Sequence, residues 1–404
     1  MLDRAYFAAG SLRKDFQGEV LEQLQSAADC VAGLALRVRS SPIFCGRVPA
    51  CYLLRVIARA CLLFGLSLLP RLAAGNVAQG VNSQPTGVQS DVVFSEYTPL
   101  SDAAEVTRRL MSPLNLLRVN RVLQRSGKTL RAQAIDLSRE KFAIYVPPHQ
   151  PPEGYSLLVF VPPWPQAEVP RKWISVLDRH GVIFVTAANS GNDADVLDRR
   201  EPLALLAAAN VEKRYTIDPQ RVYVGGFSGG SRIAMRIALA YPDVFQGALL
   251  DAGSDPIGSA EIPLPPAELF QRFQESTRVV YVSGGRDDFH LQLDASSRKS
   301  LQDWCVFDLV TVDMPWVAHE LAEPGAFNSA LQALEDRKAP ASHKLDACRG
   351  RLDEELNAQL SQVEGLVGRG KMPEARVLLQ KIDARYGGLA APRSSELAVK
   401  TATE

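Results

Sequence analysis

The sequence predicts an α/β protein with a mostly parallel sheet flanked by helices. Short, almost wholly apolar runs alternate with helical stretches, as expected for strands covered on both faces. Helical segments such as REPLALLAAANVEKRY and SRIAMRIALAYP separate these runs, which implies right-handed crossovers. We expect a leading hairpin from TLRAQAIDL and KFAIYVPP, followed by strands at SLLVFV (156–161), GVIFVTA (181–187), RVYVGG (221–226), GALLDAG (247–253), RVVYVSG (278–284) and VFDLVTVDM (306–314).

Composition narrows the function classes. The chain has 404 residues, of which 46% are hydrophobic and 22% are charged, so it can bury a sizeable core. Lys plus Arg equals Asp plus Glu, 45 each, so there is no overall basic field for a nucleic-acid partner. The cysteines and histidines lack metal-ligand spacing. We expect neither a metal nor an organic cofactor.

Changes in composition predict four regions. Residues 1–75 form an N-terminal extension, and residues 76–125 a linker followed by a helix. Residues 126–340 form the domain that contains the predicted sheet. Residues 341–404 form a helix pair, with Leu352, Leu356 and Leu360 at helical spacing, that resembles one tetratricopeptide unit. The pair must pack on the sheet domain or on a partner, because one pair cannot bury its own apolar face.

The stretch from Arg55 to Gly75 has the order of a secretory signal. Two arginines precede a short apolar run and then small residues. An ordinary apolar helix is the alternative. The run is too short to be a stable bilayer anchor. A signal would make the protein secreted or periplasmic rather than cytoplasmic, and would leave Cys305 and Cys348 either to pair or to remain buried thiols.

The glycine-rich window YVGGFSGGSR contains a G-x-S-x-G motif, residues 226–230, centred on Ser228. It is not a phosphate-binding loop, because Ser231 and Arg232 stand where that loop needs Lys and Ser or Thr. The motif lies between a predicted buried strand and a predicted helix, which is the setting that exposes a nucleophilic serine on a sharp turn. Gly226 and Gly230 are expected there because a Cβ at either position would collide where strand and helix cross.

A serine nucleophile needs a histidine base and a carboxylate that orients it. Asp287 and Asp288 follow the strand that ends at Gly284, and His319 follows the next strand, so the chain order is serine, acid, base. Asp287 is the preferred acid, with Asp288 as the alternative. His290 is a second candidate for the base.

Acyl transfer also needs donors for the developing oxyanion. The backbone N–H of Gly229 is one. The loop after SLLVFV reads PPWPQ, in which Pro162 and Pro163 have no N–H, so Trp164 is the first possible second donor. Trp164 is otherwise a wall residue that packs on the substrate.

The block YTIDPQRVYVGGFSGGSRIAMRIALAYPDVFQGALLDAG, with VSGGRDD and AHE, resembles the α/β-hydrolases, in particular polyhydroxybutyrate depolymerases and feruloyl or acetylxylan esterases. The similarity spans about residues 129–334. The resemblance implies Ser228 as the nucleophile, with Asp287 and His319 as acid and base. Two departures are Gly229, where the family often has S-A-G-G, and the PPWPQ loop, which lacks the expected glycines.

The predicted function is that of a serine hydrolase that cleaves carboxylic esters through an acyl-enzyme. The segment from Gly253 to Leu269 is too short for a bulky cap, so we expect an open cleft suited to polymeric or bulky acyl esters. A peptidase or acyltransferase on the same fold, or a hydrolase-like scaffold without catalytic activity, are the alternatives.

Overall fold

A computed structural model describes residues 85–336, 338 and 341–402. The predicted N-terminal extension lies outside these residues. This includes its signal-like segment and its four cysteines. Eight strands form one sheet: β1 (Gly87–Val92), β2 (Phe142–Val146), β3 (Tyr155–Val161), β4 (Val182–Ala187), β5 (Ile217–Phe227), β6 (Gly247–Asp251), β7 (Arg278–Gly284) and β8 (Leu309–Met314).

The strand order is β1-β2-β4-β3-β5-β6-β7-β8. β2 is antiparallel to both β1 and β4, and the pairs from β4 to β8 are all parallel. Strands β2, β3, β4, β6 and β7 are buried at every residue, as their apolar runs predict. The predicted fold class is confirmed as an α/β protein with a mostly parallel sheet flanked by helices.

Eleven helices flank or follow the sheet in the described part of the chain. They are α1 (Ala103–Leu110), α2 (Pro113–Arg125), α3 (Ile174–His180), α4 (Glu201–Arg214), α5 (Gly229–Ala240), α6 (Ala267–Ser276), α7 (Asp288–Asp303), α8 (Pro324–Glu335), α9 (Ser342–Gly368), α10 (Met372–Tyr386) and α11 (Arg393–Ala402). Buried side chains form two hydrophobic clusters. One contains Trp173 and Phe327, whose rings stack at 4.0 Å, and the other contains Leu203 and Tyr241.

The predicted leading hairpin is wrong in its first strand. Residues 129–137 contain no strand, although Ile135 and Leu137 are buried in the core. The antiparallel partner of β2 is instead β1, which lies within the predicted linker. β1 is an edge strand that alternates in burial, so its apolar content is too low to identify it in a polar stretch.

The C-terminal helices pack on the hydrolase core. Leu356 of α9 and Leu379 of α10 belong to the same hydrophobic cluster as the helices around the sheet. Asp383 of α10 accepts hydrogen bonds from the hydroxyl of Ser112 at 2.5 Å and from the amide of Leu114 at 2.9 Å. The apolar faces of α9 and α10 therefore cover the domain that contains the sheet, the first of the two arrangements predicted.

A disulfide links Cys305, after α7, to Cys348 in α9, with 5.8 Å between their Cα atoms. It joins the domain that contains the sheet covalently to the C-terminal helices. Of the two outcomes considered for these cysteines, the structure has the paired one.

The connection between β6 and α6, residues 252–266, has no helix of its own, so this segment forms no bulky cap, as predicted. The C-terminal helices support this connection from outside. Gly388 donates its N–H to the carbonyl of Leu264 at 2.7 Å, and a Cβ on Gly387 would lie only 2.6 Å from the same oxygen.

Candidate functional site

Ser228 lies on a sharp turn between β5 and α5, at the carboxyl edge of the sheet. Its backbone has φ 55° and ψ −123°, a conformation that side chains rarely adopt and that needs support from its surroundings. The amide of Ser228 donates to the carbonyl of Asp251 at the end of β6, at 2.8 Å. The neighbouring strand thus fixes the turn.

Two glycines permit this turn for steric reasons. A Cβ on Gly226 would lie 2.3 Å from the carbonyl carbon of Gly230, and a Cβ on Gly230 would lie 1.9 Å from the carbonyl oxygen of Val161. No side chain fits either place. The structure therefore confirms the prediction that a Cβ on Gly226 or Gly230 would collide where the strand and the helix cross.

Ser228, His319 and Asp287 form a continuous chain of hydrogen bonds, here called the Ser–His–Asp chain. The Oγ of Ser228 lies 2.9 Å from Nε2 of His319. The Nδ1 of the same ring lies 2.9 Å from Oδ2 of Asp287. Three groups that are far apart in sequence meet because β5, β7 and β8 end at one edge of a parallel sheet.

Asp287, rather than Asp288, reaches the histidine. Asp287 caps the N-terminus of α7 and its side chain is 11% exposed, whereas Asp288 is the first residue of the helix and is exposed to solvent. Burial opposes ionisation of the Asp287 carboxyl, but hydrogen bonds from the backbone and ring of His290 and from His319 hold its pKa below the usual range.

His290 also binds Asp287, but the described hydrogen bonds do not join it to Ser228. Its Nδ1 lies 2.6 Å from Oδ2 of Asp287, the same oxygen that His319 contacts. Its ring is nearly parallel to that of His319, with centroids 4.0 Å apart. Burial and the charge of His319 lower the pKa of His290, which favours a neutral ring that donates to the carboxylate. Sequence reasoning weighed His290 only as a base; its contact with Asp287 points to a supporting role.

Phe227 is a residue of the site that the sequence analysis did not assign. Its ring stacks on His319 with centroids 4.8 Å apart. Since two rings cannot share one face of an imidazole, His319 lies between Phe227 and His290. Phe227 is the variable residue before Ser228 in the G-x-S-x-G motif, and this position was the sequence signal that could have identified it.

Asp251 is a second residue without a sequence assignment. It is fully buried, and its Oδ2 accepts the N–H of Ala322, three residues after His319, at 2.8 Å. Burial raises the pKa of Asp251 to about 8, against the opposing effects of the Ala322 amide and of Lys172. Asp251 therefore attaches the loop of His319 to the end of β6.

The loop that follows β3 faces the turn of Ser228. Trp164 is half-buried there, with its ring centroid 6.1 Å from that of Phe227. Gly229 is the first residue of α5, so its N–H has no acceptor within its own helix. An anion on the substrate side of Ser228 would meet this N–H and the positive end of the helix dipole.

Among the residues that the structure describes, Asp287, His290 and His319 are a group whose potential metal-ligand atoms lie within 4.8 Å of one another. The Nδ1 atoms of both histidines and Oδ2 of Asp287 are engaged in the hydrogen bonds given above. A divalent ion bound to these three atoms would have to replace those bonds.

Across residues 85–336, 338 and 341–402, no helix is both long and apolar enough to cross a membrane.

Comparisons with known proteins give remote similarities. No family model matches the chain, and no curated protein matches it. Solved structures similar to part of it include an acetyl xylan esterase from Aspergillus awamori, with 14% identity, a TM-score of 0.38 and coverage of 48% of this chain and 94% of the esterase. S-formylglutathione hydrolase from Staphylococcus aureus has 12% identity and a TM-score of 0.39, covering 48% of this chain and 92% of that one.

Dipeptidyl peptidase 4 from Porphyromonas gingivalis is similar at 14% identity with a TM-score of 0.37. The match covers 49% of this chain and 34% of the peptidase, so this chain spans about a third of the peptidase's length. Similarities of this size carry no argument about chemistry. The fold assignment depends on the strand order and directions of the chain itself, and the chemistry depends on the side chains at the edge of its sheet.

Proposed function

We propose that this protein is a serine hydrolase that cleaves carboxylic esters through an acyl-enzyme. The observation that carries the proposal is the Ser–His–Asp chain, with both of its hydrogen bonds at 2.9 Å, on a strained strand-to-helix turn. A serine hydroxyl attacks carbonyls poorly until a base removes its proton, and this arrangement provides the base. Residues held in sparsely populated backbone conformations cluster at active sites.

In the proposed reaction the Oγ of Ser228 forms a bond to the ester carbonyl carbon while Nε2 of His319 takes the hydroxyl proton. The carbonyl electrons move to oxygen and then return, which breaks the bond to the alcohol oxygen. His319 gives its proton to the departing alcohol. Water repeats the sequence on the acyl-enzyme and releases the acid, while Asp287 holds the imidazole in the required tautomer.

The negative oxygen formed in each half-reaction needs hydrogen-bond donors. Gly229 provides a backbone N–H at the start of α5. The backbone N–H of Trp164 is the second donor that the sequence predicts. The side-chain amide of Asn192, which lies beside Gly229, is the competing candidate.

The rim of the site favours bulky or polymeric acyl esters. Phe289 and Trp316 have 64% and 76% of their surface exposed, next to His290 and three residues before His319 respectively. The ring of Trp316 lies against the guanidinium of Arg286, 5.4 Å from its centroid. Exposed aromatic rings beside an uncapped site offer apolar area to a large substrate.

The disulfide supports an oxidising compartment, and we propose secretion or export to the periplasm. A reduced, cytoplasmic protein would have thiols at both positions. Mass spectrometry of the native protein under thiol-blocking conditions tests this, because an alkylated Cys305 in freshly isolated protein would contradict it.

The central test is hydrolysis of short-chain p-nitrophenyl esters by wild type and by Ser228→Ala. Removal of the nucleophile should lower kcat on the order of 10⁶-fold, as in other serine hydrolases. Ser231→Ala is the matched control, since Ser231 is a buried helix residue three positions away. A Ser228→Ala protein with kcat within tenfold of wild type would contradict the proposal and favour a scaffold without catalysis.

The same assay separates the other serine acyl-transfer enzymes. Faster turnover of matched amides than of esters would identify a peptidase. Product ester formed in the presence of an alcohol acceptor, in preference to free acid, would identify an acyltransferase.

A further inference from the structure

The space beside Gly229 is filled by the side-chain amide of Asn192. A Cβ on Gly229 would lie 2.1 Å from Oδ1, 2.8 Å from Cγ and 3.0 Å from Nδ2 of Asn192. An alanine methyl at this position would therefore displace the amide of Asn192. The glycine that departs from the S-A-G-G pattern is explained by this contact with a loop from another strand.

Asn192 is held in place by the loop after β3. Its backbone N–H donates to the carbonyl of Pro163 at 3.0 Å. Buried Arg200 joins the same two loops, donating to the carbonyl of Ser190 at 2.9 Å and to that of Pro162 at 3.0 Å. The backbone of Asn192 is therefore fixed, so a rotation of its side chain is sufficient to present a donor to a bound group.

Donors are scarce at this point of the site. The two residues that follow β3 are prolines, Pro162 and Pro163, so the chain has no backbone N–H there. The carboxamide of Asn192 is exposed, and a side-chain amide carries two N–H donors. The amide N of Gly229 and a Cβ at this position would be bonded to the same Cα. The side-chain amide of Asn192 lies where that Cβ would be, so it also lies beside the N–H of Gly229.

We propose that the Nδ2 of Asn192 is the second hydrogen-bond donor to the oxyanion, paired with the N–H of Gly229. This inference rests on the proposed function. When Ser228 adds to the ester carbonyl, the oxygen that receives the electron pair accepts one hydrogen bond from each donor. Rotation of the amide about χ2 presents Nδ2, rather than Oδ1, to that oxygen. Trp164 then serves as a wall of the site, packed near Phe227.

The first test is Asn192→Ala and Asn192→Asp, assayed on p-nitrophenyl esters. Loss of an oxyanion donor should lower kcat by about 10²- to 10³-fold, with KM nearly unchanged, because the bond forms mainly in the transition state. The affinity for an alkyl boronic acid, which forms a tetrahedral adduct on the serine, should fall by a similar factor. Asn192 is exposed, so the melting temperature should not change.

The second test separates hydrogen bonding from packing. Gly229→Ala alone should impair activity, because its methyl collides with Asn192. In the double variant Asn192→Ala, Gly229→Ala the methyl has room and refills the space. If Asn192 only packs against Gly229, the double variant recovers activity near wild type. If Asn192 is a donor, the double variant remains as slow as Asn192→Ala.

Failure of this inference is distinguishable from failure of the proposed function. A wild-type protein labelled at Ser228 by a fluorophosphonate, together with an Asn192→Ala variant that keeps kcat within threefold, contradicts the role of Asn192 alone. In that case Trp164→Pro, which removes the remaining backbone N–H, should show the loss instead. A wild-type protein that neither reacts with the fluorophosphonate nor hydrolyses esters contradicts both proposals.

Discussion

The imidazole rings of His290 and His319 lie parallel, with their centroids 4.0 Å apart and an angle of 11° between their planes. Both rings direct Nδ1 to the same carboxylate oxygen, Oδ2 of Asp287. His319 also contacts Ser228, whereas His290 has no described hydrogen bond to Ser228 and is less exposed than His319. We infer that His290 is a positioning residue that fixes Asp287 and one face of His319.

Substitution of His290 should reduce the rate without removing the chemistry. His290→Asn loses the stacked ring and the bond of 2.6 Å to Asp287, while the bonds of His319 to Ser228 and Asp287 remain. We expect kcat to fall by about tenfold, the effect of one hydrogen bond to a charged group, with KM unchanged. The width of the pH profile of kcat/KM should also change, since the carboxylate loses a partner. Unchanged kcat and pH profile would show that His290 only fills space.

The two neighbouring aspartates form a matched pair of variants. Asp287→Asn should lower kcat by about 10⁴-fold, because the amide favours the wrong tautomer of His319. Asp288→Asn should leave kcat near the wild-type value, because this carboxylate is exposed and belongs to the first turn of α7. Steady-state kinetics on one ester are sufficient. Equal losses for the two variants would mean that the helix terminus as a whole, and not Asp287, supports the histidine.

Asp251 should make the stability depend on pH. Its pKa is about 8 in the folded protein, above the value of about 3.9 for an unfolded Asp. Between these values the folded state keeps a proton that the unfolded chain releases, so stability falls as pH rises. Asp251→Asn cannot release a proton.

The measurement is urea unfolding of wild type and Asp251→Asn at about pH 5 and about pH 8. The free energy of unfolding of wild type, relative to the variant, should be lower at the higher pH. A difference that is the same at both pH values would show that this carboxyl does not titrate in the window.

The disulfide should stabilise the attachment of the C-terminal helices. It closes a loop with a sequence separation of 43 residues, and removal of such a bond costs about 2 to 4 kcal/mol. Cys305→Ser with Cys348→Ser should lower the denaturant midpoint accordingly, and a reducing agent should do the same to wild type but not to the variant. Because Asp287 and Cys305 lie at opposite ends of α7, kcat below the transition should be retained. An activity loss that precedes unfolding would instead link the C-terminal helices to the site.

The sequence predicts most of the fold because buried parallel strands have an unmistakable composition. Every central run, from SLLVFV to VFDLVTVDM, contains an observed strand. The edge strand β1 was not predicted, because one side of it faces solvent and its sequence mixes polar and apolar residues. The prediction of a strand at residues 129–137 was wrong because its apolar residues Ile135 and Leu137 are buried in the core without belonging to a strand.

By itself, the sequence determined the order of the candidate catalytic residues along the chain. A G-x-S-x-G turn comes first, then acidic residues after one strand, then a histidine after the next strand. Local rules are sufficient for these, since the motif, the glycines and the strands are properties of short segments. Only the tertiary structure selected Asp287 over Asp288, placed His290 against His319 and brought Asn192 to Gly229. Those contacts join residues that follow different strands. They depend on how the strands are placed relative to one another, which no local pattern encodes.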